Sequence, residues 1–156
     1  MRKIFTGFCL VAGMTLFSFS QSVNANPLSA VVEKIIDGDT IILNQGGTPK
    51  TIQLACIDSP DWIKGKPQPN AQASKNRLTE LVPVGASVQY YDLGSIAKGN
   101  RILGVIFNNK ININLQMVKE GQSKLHRSYS QTCANSANAL AEAENNAKNQ
   151  RLGIWQ

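Results

Sequence analysis

Four aspartates punctuate the first half of this 156-residue chain in a pattern that could hold a cation. Asp37 and Asp39 flank Gly38, and Asp58 and Asp61 flank Ser59-Pro60. If the strands carrying these turns are neighbours, the carboxylates converge. Clustered carboxylate oxygens suit a hard divalent ion such as Ca²⁺ or Mg²⁺ rather than zinc or copper. Each motif is also an ordinary turn composition, so two readings stand side by side: an ion site and simple turn chemistry. Other chemistries have little material. His126 is the single histidine, and the three cysteines form no Cys-x-x-Cys pair, which leaves a histidine triad or a structural zinc site without ligands.

The elements that would carry these residues read as short strands. Residues 29–36 are rich in β-branched side chains, Asp37-Gly38 is a hairpin signal, and 39–44 return as a second strand. Residues 50–57 form a third strand, with Ile52, Leu54 and Cys56 expected on one face. A proline-bearing loop follows from 58 to 70. A helix is predicted over 71–81, with Ala71, Leu78 and Leu81 on its buried stripe and Pro83 beyond its end. Strands at 87–92 and 101–107 come next. A short helix at 112–120 has Asn112 as N-cap and Gly121 just past its end. An alanine-rich helix over 134–150 precedes Leu152-Gly153-Ile154-Trp155, read as a hydrophobic anchor on the core. The expected class is α+β, mainly β: a five-stranded Greek-key barrel of the OB type with about three appended helices.

Residues 1–25 read as a signal peptide, with Arg2 and Lys3 ahead of a short apolar run and small residues at Val23 and Ala25. Residues 26–156 then form one domain. It carries 14 basic and 10 acidic residues, a net charge of +4, which suits a polyanionic partner. Cys56 and Cys133 remain. In an oxidising compartment they could pair; otherwise they are two small buried apolar side chains.

In order along the chain, Ile36-Asp37-Gly38-Asp39-Thr40, Gln53-Leu54-Ala55-Cys56-Ile57-Asp58-Ser59-Pro60-Asp61 and Arg101-Ile102-Leu103-Gly104-Val105 together resemble the staphylococcal nuclease, or thermonuclease, family. Gln68-Pro69 to Ala73, Asn112 to Gly121 and Ala141 to Trp155 extend the likeness across residues 30–155. The resemblance implies that Asp39, Asp58 and the carbonyl of Ser59 bind Ca²⁺. It implies that Asp61 positions or activates the attacking water, that Arg101 binds the scissile phosphate, and that Lys98 lies near the phosphate of the nucleotide. Asp37 reads as a turn former or an outer partner of the ion.

The likeness has gaps. Gln53 stands where the family has a second arginine, and Asp61 where it has a glutamate. Gly99-Asn100 replaces Tyr-Gly before Arg101. Past Gly121, Arg127 and Tyr129 stand in a stretch where the family carries pocket tyrosines, so Tyr129 could keep one stacking surface. Arg127 is either a substitute cation for Gln53 or a solvated surface residue. Trp62 either stacks a base or covers the barrel edge. The implied function is an exported, monomeric, Ca²⁺-dependent endonuclease acting on DNA and RNA, slowed by Gln53 and Asp61. The alternative is a non-catalytic nucleic-acid or nucleotide-binding barrel.

Overall fold

The computed structural model describes residues 26–96, 101–126 and 132–156. The predicted signal peptide, Lys98, Arg127 and Tyr129 lie outside them. β1 (Leu28–Ile35), β2 (Thr40–Gln45) and β3 (Thr48–Leu54) form an antiparallel meander. Two-residue strands follow: β4 (Ile57–Asp58), β5 (Trp62–Ile63) and β6 (Lys66–Pro67). After α1 (Ala71–Leu81) come β7 (Ser87–Ile96), β8 (Arg101–Asn108), β9 (Ile111–Asn112) and α2 (Ile113–Lys119). β10 (Lys124–Leu125), α3 (Ala137–Asn149) and a closing 3₁₀ turn (Gly153–Trp155) complete the chain. No described helix is long and apolar enough to cross a membrane.

The sheet order β3-β2-β1-β7-β8 closes on itself, because β3 also pairs with β8 in parallel, Ile52 facing Ile102 and Leu54 facing Gly104. This closed five-stranded barrel with three helices is the expected OB-type architecture. Closure leaves no free edge among its main strands. Its interior is apolar: Val32, Ile41, Leu43, Ile52, Leu54, Val88, Tyr90 and Ile106 are all buried. Gly104 is required by close approach, since a Cβ there would come within 2.5 Å of Ile52 Cγ2.

Two predicted elements are shorter than their composition indicates. The third strand stops at Leu54. Ala55 N–H turns to the carbonyl of Gly104, and Cys56 takes a left-handed conformation with φ 71°. Ala55 and Cys56 are therefore both buried, and the expected alternation is lost. The chain leaves the barrel here and restarts as β4, which pairs with β10. The last helix begins at Ala137 rather than 134. Cys133 is tied to Cys56 by a disulfide with a Cα–Cα distance of 5.7 Å, and a turn at its carbonyl, which accepts Ser136 N–H, fills the gap.

The helices follow the predicted logic. α1 buries Ala71, Ser74 and Leu78, with Leu81 packed beside them. Asn112 caps α2, its Oδ1 accepting Leu115 N–H at 3.0 Å. Arg77 on α1 forks onto Glu120 behind α2 and also reaches Glu80. Its hydrogen bonds pull the Glu120 carboxyl below its usual range. The closing segment differs from the expected core anchor. Leu152, Ile154 and Trp155 are only half-buried. The tail is seated by backbone instead: Ile154 N–H donates to the carbonyl of Gly121, and a Cβ on Gly121 would fall 2.3 Å from Leu152 O.

Candidate functional site

The Asp37-Gly38-Asp39 turn is built by its own side chains. Asp37 Oδ1 accepts Asp39 N–H at 3.0 Å, the short-range closure that aspartate offers in a turn. Gly38 lets this turn press against its surroundings, because a Cβ there would meet Ser74 Cβ at 2.7 Å and Ser59 Cβ at 2.8 Å. Asp39 is thereby held over the start of the 58–70 segment. Its Oδ2 accepts Ser59 N–H at 2.9 Å and its Oδ1 accepts Thr40 Oγ1 at 3.1 Å. Ser59 is fixed from its other side by a 2.6 Å hydroxyl contact to Ser123. The two acidic turns separated in sequence are thus joined by a direct hydrogen bond.

Burial dominates the electrostatics of Asp39. Only 7% of it is exposed, and desolvation pushes its carboxyl up to about 7, with buried Asp37 adding to the rise and the Ser59 N–H opposing it. Two buried carboxylates therefore sit together with hydrogen-bond donors but no buried cation among the described residues. Asp58 is half-exposed and lies opposite Lys124 in the β4–β10 pair, with Nζ 3.0 Å from its Oδ2.

A cleft of about 450 Å³ opens here, lined by Asp58, Ser59, Asp61, Ile63, Gln68 and Lys124. Asp61 is pinned at its mouth. Its N–H donates to Gln68 Oε1 at 2.8 Å, and its Oδ1 accepts Trp62 N–H at 2.6 Å. On the barrel, Gln53 faces Thr40 across β2–β3, and Arg101 Nη1 donates to Gln53 Oε1 at 3.4 Å.

The residues fit a hard cation by donor type. Asp39, Asp58 and the Ser59 carbonyl offer oxygen only, and each carboxylate oxygen has a second lone pair to give. Among the described residues no three His, Cys, Asp or Glu side chains converge. An ion held here would therefore complete its shell with water or substrate oxygen. Trp62 does not line the cleft with Ile63; its ring carries Lys75 Nζ 5.5 Å from the centroid. Trp155 lies beside Asp58 and Lys124 in an adjoining hollow, with Lys148 Nζ 4.5 Å over its ring. The reading of the sequence missed Lys124, Ser123 and Gln68. Only the pairing of β4 with β10 and the return of the chain at Gln68 bring them in.

The family model described as staphylococcal nuclease homologue matches residues 51–156. The chain belongs to this family. An uncharacterized endonuclease of Haemophilus influenzae is 32% identical to this staphylococcal nuclease homologue over 155 residues, covering 99% of this chain and 79% of the relative. The thermonuclease of Staphylococcus intermedius is 26% identical over 170 residues, covering 100% and 99%. An uncharacterized endonuclease of Escherichia coli is 28% identical over 144 residues, covering 91% and 86%.

Proposed function

We propose that the protein is an exported, monomeric, Ca²⁺-dependent endonuclease that hydrolyses phosphodiester bonds of DNA and RNA. The observation that carries this reading is the hydrogen bond from Ser59 N–H to Asp39, which joins the two carboxylate turns at the edge of the cleft. Asp39, Asp58 and the Ser59 carbonyl would hold Ca²⁺, which supplies positive charge to an already anionic phosphate as more negative charge develops on it. Arg101 adds a planar fork for two phosphate oxygens. Asp61, on the cleft wall, takes the proton of the attacking water. Water adds at phosphorus, the bond to the 5′ oxygen breaks, that oxygen takes a proton from solvent to leave as a 5′-hydroxyl, and a 3′-phosphate remains. The Cys56–Cys133 disulfide supports export to an oxidising compartment.

The test is incubation of residues 26–156 with single-stranded DNA or RNA, in Ca²⁺ or in chelator. Cleavage in Ca²⁺ alone is expected; none at high enzyme concentration removes the reading. A second reading, binding without turnover, is favoured by one observation: Gln53 is neutral and occupied by Arg101. It predicts salt-dependent oligonucleotide binding and no products.

A further inference from the structure

The segment between Asp61 and α1, expected as a loop, contains a built hairpin. Trp62 pairs with Pro67 and Ile63 with Lys66, around Lys64 at φ 50° and Gly65 at φ 77°. Two consecutive positive φ values make the tight turn that matches strand twist. The base is clamped twice, Asp61 N–H to Gln68 Oε1 at 2.8 Å and Gln68 N–H to Asp61 O at 2.9 Å. Directly opposed residues share one face of an antiparallel pair. Trp62 and Pro67 form one face, and Trp62 is braced by Lys75 of α1. Ile63 and Lys66 form the other. Ile63 lines the cleft with Asp58 and Asp61, and Lys66 shares its face of the ribbon.

Charge and exposure agree with a binding role. From Trp62 to Thr79 the chain holds Lys64, Lys66, Lys75 and Arg77 and no acidic residue. Arg77 is spent on Glu80 and Glu120. Lys64 and Lys66 are exposed and have no carboxylate partner among the described residues. Ile63 leaves 58% of its surface in water at a cleft that mixes Asp58, Asp61, Gln68 and Lys124 with Pro60, Pro69 and Ile154. An isolated two-stranded ribbon gains nothing for the fold by presenting an apolar side chain and two cations outward.

We propose that the β5–β6 hairpin is a second binding element for single-stranded nucleic acid, continuing the cleft beyond the phosphate to be cut. Lys66 and Lys64 take neighbouring backbone phosphates, and Ile63 is an apolar ledge for a sugar or base. An unpaired strand is the suited ligand, because its bases and sugars are free to lie on such a ledge. The proposal rests on the nuclease reading for the strand's direction through the cleft, and its test is independent of turnover.

The measurement is anisotropy of a labelled twelve-nucleotide single strand, in chelator, across a range of salt. Each lost phosphate contact lowers the salt slope by about 0.7 and weakens binding about five-fold at about 0.1 M salt. Lys66→Gln is expected to show that loss, the Lys64→Gln/Lys66→Gln pair about twice the slope change, and Ile63→Asp a weakening with little slope change. Lys110→Gln, on the β8–β9 turn, controls for loss of a charge elsewhere. All four positions are exposed, so the fold is kept, and circular dichroism checks it. If the double lysine variant binds with the affinity and slope of the wild type while Ca²⁺-dependent cutting is present, the hairpin proposal falls alone. If binding depends on these lysines but no cutting occurs in Ca²⁺, the nuclease reading falls and the hairpin site stands.

Discussion

Asp39 Oδ2 lies 2.9 Å from the backbone nitrogen of Ser59. A carboxylate that belongs to one turn thereby sets the position of the next residue after Asp58. The two candidate ion ligands are not independent: what orients one orients the other.

Burial, against the pull of the Ser59 N–H, makes Asp39 sensitive to pH. Its carboxyl, raised from 3.8 to about 7 by burial first, favours the protonated form in the folded state. Its contribution to stability is full below about 4 and is lost as pH rises through about 7. Denaturant unfolding in chelator should show the protein losing stability over that window. Asp39→Asn should flatten the loss and be more stable than wild type at pH 8, by on the order of a few kcal/mol, yet should lose Ca²⁺ affinity. Parallel pH profiles for both proteins would contradict this.

Lys124 neutralises Asp58 across the β4–β10 pair. Any cation using Asp58 must compete with that ammonium. Lys124→Met should tighten Ca²⁺ binding several-fold by calorimetry. It should change stability by less than about 1 kcal/mol, because both side chains are substantially exposed. Weaker Ca²⁺ binding in the variant would reverse the assignment.

Gln53→Arg tests the catalytic half of the site. A missing transition-state donor costs about 10²–10³ in rate, so restoring one should accelerate cutting by up to about 10². It also places a second guanidinium beside Arg101, so the substrate-free protein should melt lower. An inert Gln53→Arg protein with its fold intact would favour binding without turnover.

The disulfide spans 77 residues. On the loop-entropy model, removing it costs about 4.5 kcal/mol. Denaturant titration of a Cys56→Ala/Cys133→Ala variant should show a loss of about 2–5 kcal/mol. A smaller loss would mean that the β4–β10 pair and the bond from His126 N–H to Cys56 O already restrain the unfolded chain.

The barrel was legible because its strands carry clear β-branched patterns and its turns carry Asp-Gly, Gly-Gly and Asn signals. The Asn112 cap and the Ala71–Leu78 stripe were legible for the same local reason. Asp39 and Asp58 stood out by residue type and position. What escaped was set at a distance. The end of β3 depends on the Gly104 carbonyl, and the partner of Asp58 depends on β10. The hairpin at 62–67 did have a local sign, Lys64-Gly65 between Ile63 and Lys66. Pro60, Pro67 and Pro69 made the whole of 58–70 read as a loop. Pro67 is tolerated because β6 is an edge strand in a ribbon of two.

The parallel seam between β3 and β8 has a kinetic meaning. It joins Ile52 to Ile102, contacts far apart along the chain, whereas the neighbouring pairs β2–β3 and β7–β8 are local hairpins. Distant pairings are slow to form because the loop between them must be closed first. Gln53 and Arg101 sit on opposite sides of that seam. A chain whose hairpins have formed but whose seam is open lacks the Gln53–Arg101 pairing, so on the proposed nuclease function recovery of cutting during refolding should track the slowest structural phase.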